Sequence, residues 1–396
     1  MFADRTVRAA QRLSTVLRLL LLAALAGCGG VDSGGTGAAS LGYGPITGLG
    51  SIIVNGVRFD EREATIVDEE GAAVGRDRLQ LGVMTGVEAS DITGPADDRR
   101  ATAHRVRIFS ELIGPTGTID TSSQTIEVLR QTVRITPATV FGDGLPAGLA
   151  SLQAGMVVEV FASMDSANDR YVATRIELRS AVSSYVVRGR VGQVDAMART
   201  FALGALLVDF SQVGATDAAR VVAGDTVRVR LQTSPSVAGI WRASSVSSGA
   251  RSIGDAEEAH IAGRISAFES AQRFSIDGVS IDATAAAFPD GTGAISLGAR
   301  VSVEGSARSG VVHAKEVHAE GDEDESNSTF EVHGTVQSLD AVGQTLVVRG
   351  ITIDFSGGVR FENGTVDDLR VGRSVEIEAV LRPDGVGLIA RKISFQ

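Results

Sequence analysis

Cysteine occurs once in 396 residues, as Cys28, so no disulfide can form within the chain. Aromatic residues make up only 5% of the sequence, which leaves few side chains for stacking against bases or sugars. Basic residues are outnumbered, 37 against 48 acidic ones, and the net charge of −11 speaks against binding a phosphate backbone. Beyond the N-terminal leader no apolar run reaches the length of a membrane-spanning helix. Chemical signatures are missing too. There is no Gly-x-Ser-x-Gly elbow, no glycine-rich loop opening a helix, and no serine flanked by a recognisable base. These absences point away from nucleophilic catalysis and nucleotide binding, and no cofactor is expected. Paired carboxylates for glycoside cleavage depend on spatial rather than sequence proximity, and five near-equivalent units argue against them.

Glycine is abundant, at 47 residues, and hydrophobic residues reach 43%. Many glycines with few aromatics suit short strands joined by many turns. At the N-terminus, Arg5, Arg8, Arg12 and Arg18 precede the apolar stretch Leu19 to Ala26, and small residues then lead into Cys28. An apolar core of eight residues is too short to span a bilayer. Leu25-Ala26-Gly27-Cys28 resembles a bacterial lipobox. That resemblance implies cleavage before Cys28, lipidation of its thiol and new amino group, and anchoring in a membrane. Gly29 rather than Asp after the cysteine implies the outer membrane of a Gram-negative bacterium, facing the periplasm or the surface. The Gly/Ser-rich segment 28–43 reads as a flexible tether.

The rest of the chain is a repeat of roughly 74 residues, found by three markers. Gly56, Gly204, Gly278 and Gly350 mark a hairpin turn, as in "SIIVNGVRFD" (51–60) and "LVVRGITID" (346–354). Gly82, Gly155, Gly224, Gly298 and Gly372 each precede an alternating strand. An Ala, two variable residues and a Val or Ile close each unit, at Ala103/Val106, Ala173/Ile176, Ala243/Val246, Ala314/Val317 and Ala390/Ile393. In the second unit, "IEVLRQTVRI" (126–135), Arg130 replaces the turn glycine, which puts that hairpin in doubt. Period-two alternation in "VEIEAVL" predicts Val375, Ile377, Ala379 and Leu381 inside. The expected fold is all-β: five tandem, small, antiparallel, OB-like barrels, strung like beads or docked. Their spans are 44–111, 112–182, 183–252, 257–320 and 329–396, after a signal peptide over 1–27, with an acidic linker over 321–328. The turn glycines, the Ala-x-x-Val/Ile endings and the lipobox together resemble lipoproteins with tandem copies of domain of unknown function 5666. The motifs are structural in kind, so the resemblance carries no activity with it.

Polar candidates are few. Asp60, Asp209, Asp282 and Asp354 end the same strand in four units, and suit either turn capping or a weak cation site. Glu320, Asp322, Glu323, Asp324 and Glu325 could attract Ca²⁺ but lack the order of an EF-hand loop. The histidines are His104, His260, His313, His318 and His333. His313 and His318, five apart in one strand, are expected on opposite faces, which disfavours a zinc site. Trp241 is the candidate for a lone sugar contact. The favoured expectation is a non-enzymatic, lipid-anchored envelope protein, a repeat scaffold or interaction module with an envelope protein or glycan partner. The alternative is a periplasmic or surface module binding a glycan or small ligand, alone or with Ca²⁺.

Overall fold

The computed structural model describes residues 38–236, 239–321 and 328–396. The first unit shows the plan. Its strands are β1 (Ala38–Leu49), β2 (Ile52–Val54), β3 (Val57–Asp60), β4 (Thr65–Val67), β5 (Met84–Ala89) and β6 (Arg99–Phe109). β1 pairs antiparallel with both β2 and β5, β2 with β3, and β5 with β6. β3 and β6 run parallel and close the ring. The short β4 adds a parallel pairing to β6.

The same circuit recurs four times, over 112–178, 185–248, 256–320 and 329–395. Five small OB-like barrels result, and closure leaves each without a free sheet edge. The barrels are OB-like as expected, and within each mostly antiparallel circuit the third and last strands pair in parallel.

The three sequence markers have physical causes. Asn55-Gly56, Asp277-Gly278 and Arg349-Gly350 all adopt positive φ, as a two-residue type I′ turn demands. The second hairpin also forms, with Leu129 and Arg130 held at φ 49° and 61° in place of a glycine turn. Gly82, Gly155, Gly224, Gly298 and Gly372 all have φ between 80° and 93°. Each donates its N–H to the first strand of its barrel, to Ile46, Thr116, Val191, Ile265 and Val336 respectively, at 2.7–2.9 Å. The Ala-x-x-Val/Ile motif marks a β-bulge. A spacing of three would put its ends on opposite faces of a regular strand. A register shift at the intervening pair restores them to one face, so Ala390 and Ile393 are both buried, as are the other four pairs.

In the strand Ser374–Leu381, Val375, Ile377 and Ala379 are buried as the alternation predicts, and Leu381 is half-buried at the strand end. The expected tether runs too far. Residues 38–43 are the first half of β1, and Tyr43 is fully buried. The strand opening the fourth barrel likewise starts at Ala256, one residue early.

The barrels dock. β1 runs parallel to the first strand of barrel 4 through Ala38↔Ala256 to Tyr43↔Ile261, and to that of barrel 5 through Gly48↔Glu331 and Leu49↔Val332. Barrels 1, 4 and 5 share one apolar core, which Val140 and Phe161 of barrel 2 also join, and barrels 2 and 3 share a second. Barrels 2 and 3 join through Val186↔Ile113 and Val187↔Leu112. The tip of the last hairpin reaches barrel 2, where Phe141 N–H donates to the Gly385 carbonyl at 3.0 Å.

Candidate functional site

Barrel 1 sends two arginines outward from neighbouring strands. Arg58 on β3 donates to Glu331 (2.5 Å), to Glu376 (3.0 Å) and to Nε2 of His333 (2.5 Å), all on barrel 5. Arginine has no acceptor, so His333 receives this bond at an unprotonated Nε2. Asp98 lies 3.5 Å from the same guanidinium. Glu331, His333 and Glu376 offer ligand atoms within 4.8 Å of one another, the geometry of a metal site, and the Arg58 guanidinium supplies the positive charge there.

Arg99 on β6 enters the matching region of barrel 4. It donates to Glu304 at 2.9 Å and lies 3.5 Å from Nδ1 of the buried His260, whose Nε2 is 2.8 Å from Glu258. Burial would raise the Glu304 carboxyl, but Arg99 and His260 hold it below its ordinary range.

A cleft of about 340 Å³, lined by His260 and Glu304 of this second cluster, opens where barrels 1, 2, 4 and 5 meet. Its rim includes the turn Asn55-Gly56, Thr174 of barrel 2, Arg264 and Glu304 of barrel 4, and Phe330 of barrel 5. Asn55 does more than turn the chain. Its side-chain amide donates to the Tyr43 carbonyl (2.6 Å) and across the barrels to the His260 carbonyl (3.0 Å). The lining mixes apolar side chains with a few convergent polar groups, the usual make-up of a small-ligand site.

A third cluster is buried deeper, where barrels 1 to 4 converge. Glu111 leads into barrel 2, Arg188 lies on the first strand of barrel 3, and Arg251 lies in the link from barrel 3 to barrel 4. Arg251 pairs with Glu111, and stacks 4.8 Å from the Phe109 ring centre and 5.2 Å from that of Tyr43. Arg188 pairs with both Glu111 and Glu69, and Arg228 with Glu69 and Glu70. Asp277, in the hairpin turn of barrel 4, accepts from Ser163 Oγ (2.8 Å) and Met164 N–H (3.1 Å) of barrel 2. Complete burial pushes Glu111 up to about 8, although Arg188 offsets part of the effect. Burial likewise pulls Arg251 down to about 10 and raises Asp277. The Tyr43 hydroxyl is buried without a hydrogen-bond partner among the described residues.

The four recurrent aspartates are each engaged in a local turn. Asp60, Asp209, Asp282 and Asp354 accept a backbone N–H two residues on, from Arg62, Ser211, Thr284 and Ser356, at 2.7–3.2 Å. The Arg62 guanidinium holds Asp60 at about 2, against a small opposing effect of burial. None of the four belongs to a three-ligand group among the described residues. Trp241 is half-buried and packs edge-on against Tyr185 of the same barrel at 5.6 Å, at the margin of the second apolar core. The expectation for His313 and His318 is overturned. The bulge at Lys315 lies between them and brings both to the outer face, where they approach Asp282 and Asp290 respectively. His104 is exposed on the corresponding bulge of barrel 1. Cys28 and residues 322–327 of the acidic run lie outside the described residues, and Glu320 pairs with Arg300 at 2.8 Å.

Sequence reasoning missed the inter-barrel clusters. Their residues are up to 318 positions apart, and the arginines read as outer-face residues of their own barrels, as Arg188 does beside the core residue Val187, so no local pattern marks them.

A family model for "Domain of unknown function (DUF5666)" matches residues 116–177, 262–318 and 333–394, which lie in barrels 2, 4 and 5. This is a repeat-containing chain that resembles DUF5666. Barrels 1 and 3 fall outside those matches, yet share the strand circuit, the positive-φ glycine and the bulge of the DUF5666 barrels. No curated protein matches the chain. Among solved structures, Drosophila Unr CSD456 is similar over 73% of this chain and 97% of its own, at 12% identity and a TM-score of 0.14.

Proposed function

We propose that this DUF5666-like protein is a non-enzymatic, lipid-anchored component of the bacterial cell envelope that works as a rigid scaffold. One observation carries the reading. Buried arginine–carboxylate pairs join the barrels, as in Arg251–Glu111 and Arg188–Glu69, so surfaces contributed by five barrels keep fixed relations. Fixed geometry removes the ordering cost that flexible beads would incur on binding a partner. The lipobox supports the anchor, with Cys28 as the lipidated residue and the outer membrane as its address. The test is fractionation of cells expressing the wild type and Cys28→Ser. The wild type pellets with membranes and incorporates labelled palmitate, and the variant does neither. A variant still held in the membrane fraction overturns the anchor. Cross-linking followed by mass spectrometry of the anchored form then identifies the partner.

A second reading is favoured by the cleft of about 340 Å³, whose polar groups come from several barrels. In that reading the chain is an envelope module that binds a glycan or another small ligand.

A further inference from the structure

A second cleft, of about 380 Å³, opens where barrels 2, 3 and 4 meet and is separate from the central one. We infer that it binds a small, uncharged, polyhydroxylated ligand such as a mono- or disaccharide. This deepens the ligand-binding reading and rests on it.

The inference starts from charge. Glu111, Asp225 and Asp277 face Arg188 and Arg190 in this cleft, with Arg251 directly behind Glu111. Arg188 is already paired with Glu69 and Arg251 with Glu111, so neither buried guanidinium is left free to hold an anion. The second point is what lies between those charges. Hydroxyl-bearing residues of two barrels line the cleft, Thr226 and Ser248 from barrel 3 and Ser275 and Ser280 from barrel 4, while the Tyr171 hydroxyl of barrel 2 donates to the Arg188 carbonyl. Ser275 and Ser280 are a cross-strand pair on one hairpin, so their side chains share a face. Groups that both donate and accept match a ligand whose own hydroxyls do the same.

The third point is unspent capacity at the floor. Arg188 is buried, and its Nη groups are bound to Glu69 and to the Gly249 carbonyl. Its Nε lies 3.3 Å from Glu111, close enough for an ion pair but without hydrogen-bond alignment, so this buried donor lacks an acceptor among the described residues. Asp277 accepts one bond at each carboxylate oxygen, which leaves lone pairs free. A ligand hydroxyl could complete the Arg188 donor and donate to Asp277. A buried donor left unmet is costly, and completing it favours binding. The volume lies within the range of ordinary ligand pockets.

The test is isothermal titration calorimetry of the mature chain, with Cys28→Ser to keep it out of the membrane. The probes are glucose, N-acetylglucosamine and maltose, with glucuronate as the charged control. The expected result is saturable binding of at least one neutral sugar, weaker binding of glucuronate, and a loss of affinity of about tenfold or more in Ser275→Leu. The Ser275 side chain holds no other part of the fold, and unchanged thermal unfolding verifies that Ser275→Leu remains folded. If a neutral sugar binds equally well to Ser275→Leu, the site is wrong while the ligand-binding reading stands. If glucuronate binds better than the neutral sugars, the ligand class is wrong. If no probe gives saturable heat, both the site and the ligand-binding reading fail.

Discussion

Arg251 and Glu111 pair out of reach of solvent, one from the link between barrels 3 and 4, the other from the junction of barrels 1 and 2. Neither is a neighbour of the other in sequence or in barrel, and their pairing fixes four barrels at one point. Removing Glu111 leaves the Arg251 guanidinium buried without its partner, whereas a Glu111 that loses Arg251 stays protonated and neutral. Glu111→Ala is therefore expected to destabilise by about 3–5 kcal/mol, and Arg251→Met by less. Urea unfolding followed by circular dichroism measures both. A loss below about 1 kcal/mol in each would mean that the pair does not hold the barrels.

The same carboxyl gives the stability a pH dependence. Glu111 titrates at about 8 in the folded chain against an ordinary 4.5, and Asp277 is raised as well. Between those values the folded state keeps a proton that the unfolded state has lost. Stability therefore falls as pH rises from about 5 to about 8. The turn aspartates act oppositely. Asp60 and Asp120 titrate at about 2, so their contribution is present above the ordinary carboxylate range and lost as pH falls through about 2. Urea midpoints across this range should decline toward alkaline pH, and Glu111→Gln should flatten the decline. An unchanged slope in that variant would assign it to another group.

Two equivalent glycines separate a backbone effect from a docking effect. Gly372 has φ 86° and open space where an alanine methyl would sit, so Gly372→Ala should cost about 1–2 kcal/mol through conformation alone. Gly82 has nearly the same φ, but a Cβ there would lie 2.3 Å from the Thr174 carbonyl of barrel 2. Gly82→Ala should therefore lower the melting temperature further. Equal losses would show that the barrel 1–2 contact yields freely.

Leu129 and Arg130 hold a left-handed turn without glycine. Arg130 is exposed, so Arg130→Gly removes strain without removing a buried contact. A gain of about 1 kcal/mol is expected in thermal or urea unfolding, and a loss would contradict the strain.

Arg58 occupies the position of a cation among Glu331, His333 and Glu376. Arg58→Ala should convert that trio into a site for Zn²⁺, three protein ligands with room for water. Calorimetry should show zinc binding to the variant that the wild type lacks. Equal affinities would place the zinc elsewhere.

The barrels were legible in the sequence because turn and bulge chemistry is local. Gly56 and Gly350 announce positive φ, and Ala390 with Ile393 repeats a spacing that only a bulge brings to one face. The start of β1 was not legible, since "AASLGYG" has the small residues of a linker and no alternation. Its burial comes from strands more than two hundred residues away. The polar clusters were hidden for the same reason. Arg58 reads as the wet side of a hairpin strand until barrel 5 is laid against it.

The parallel pairing of β1 with strands beginning at Ala256 and Thr329 sets a timetable for the chain. A chain that emerges N-terminus first presents β1 more than two hundred residues before either partner strand. Throughout that interval the first barrel made must wait with an interface uncovered, and only the last to emerge can seal it.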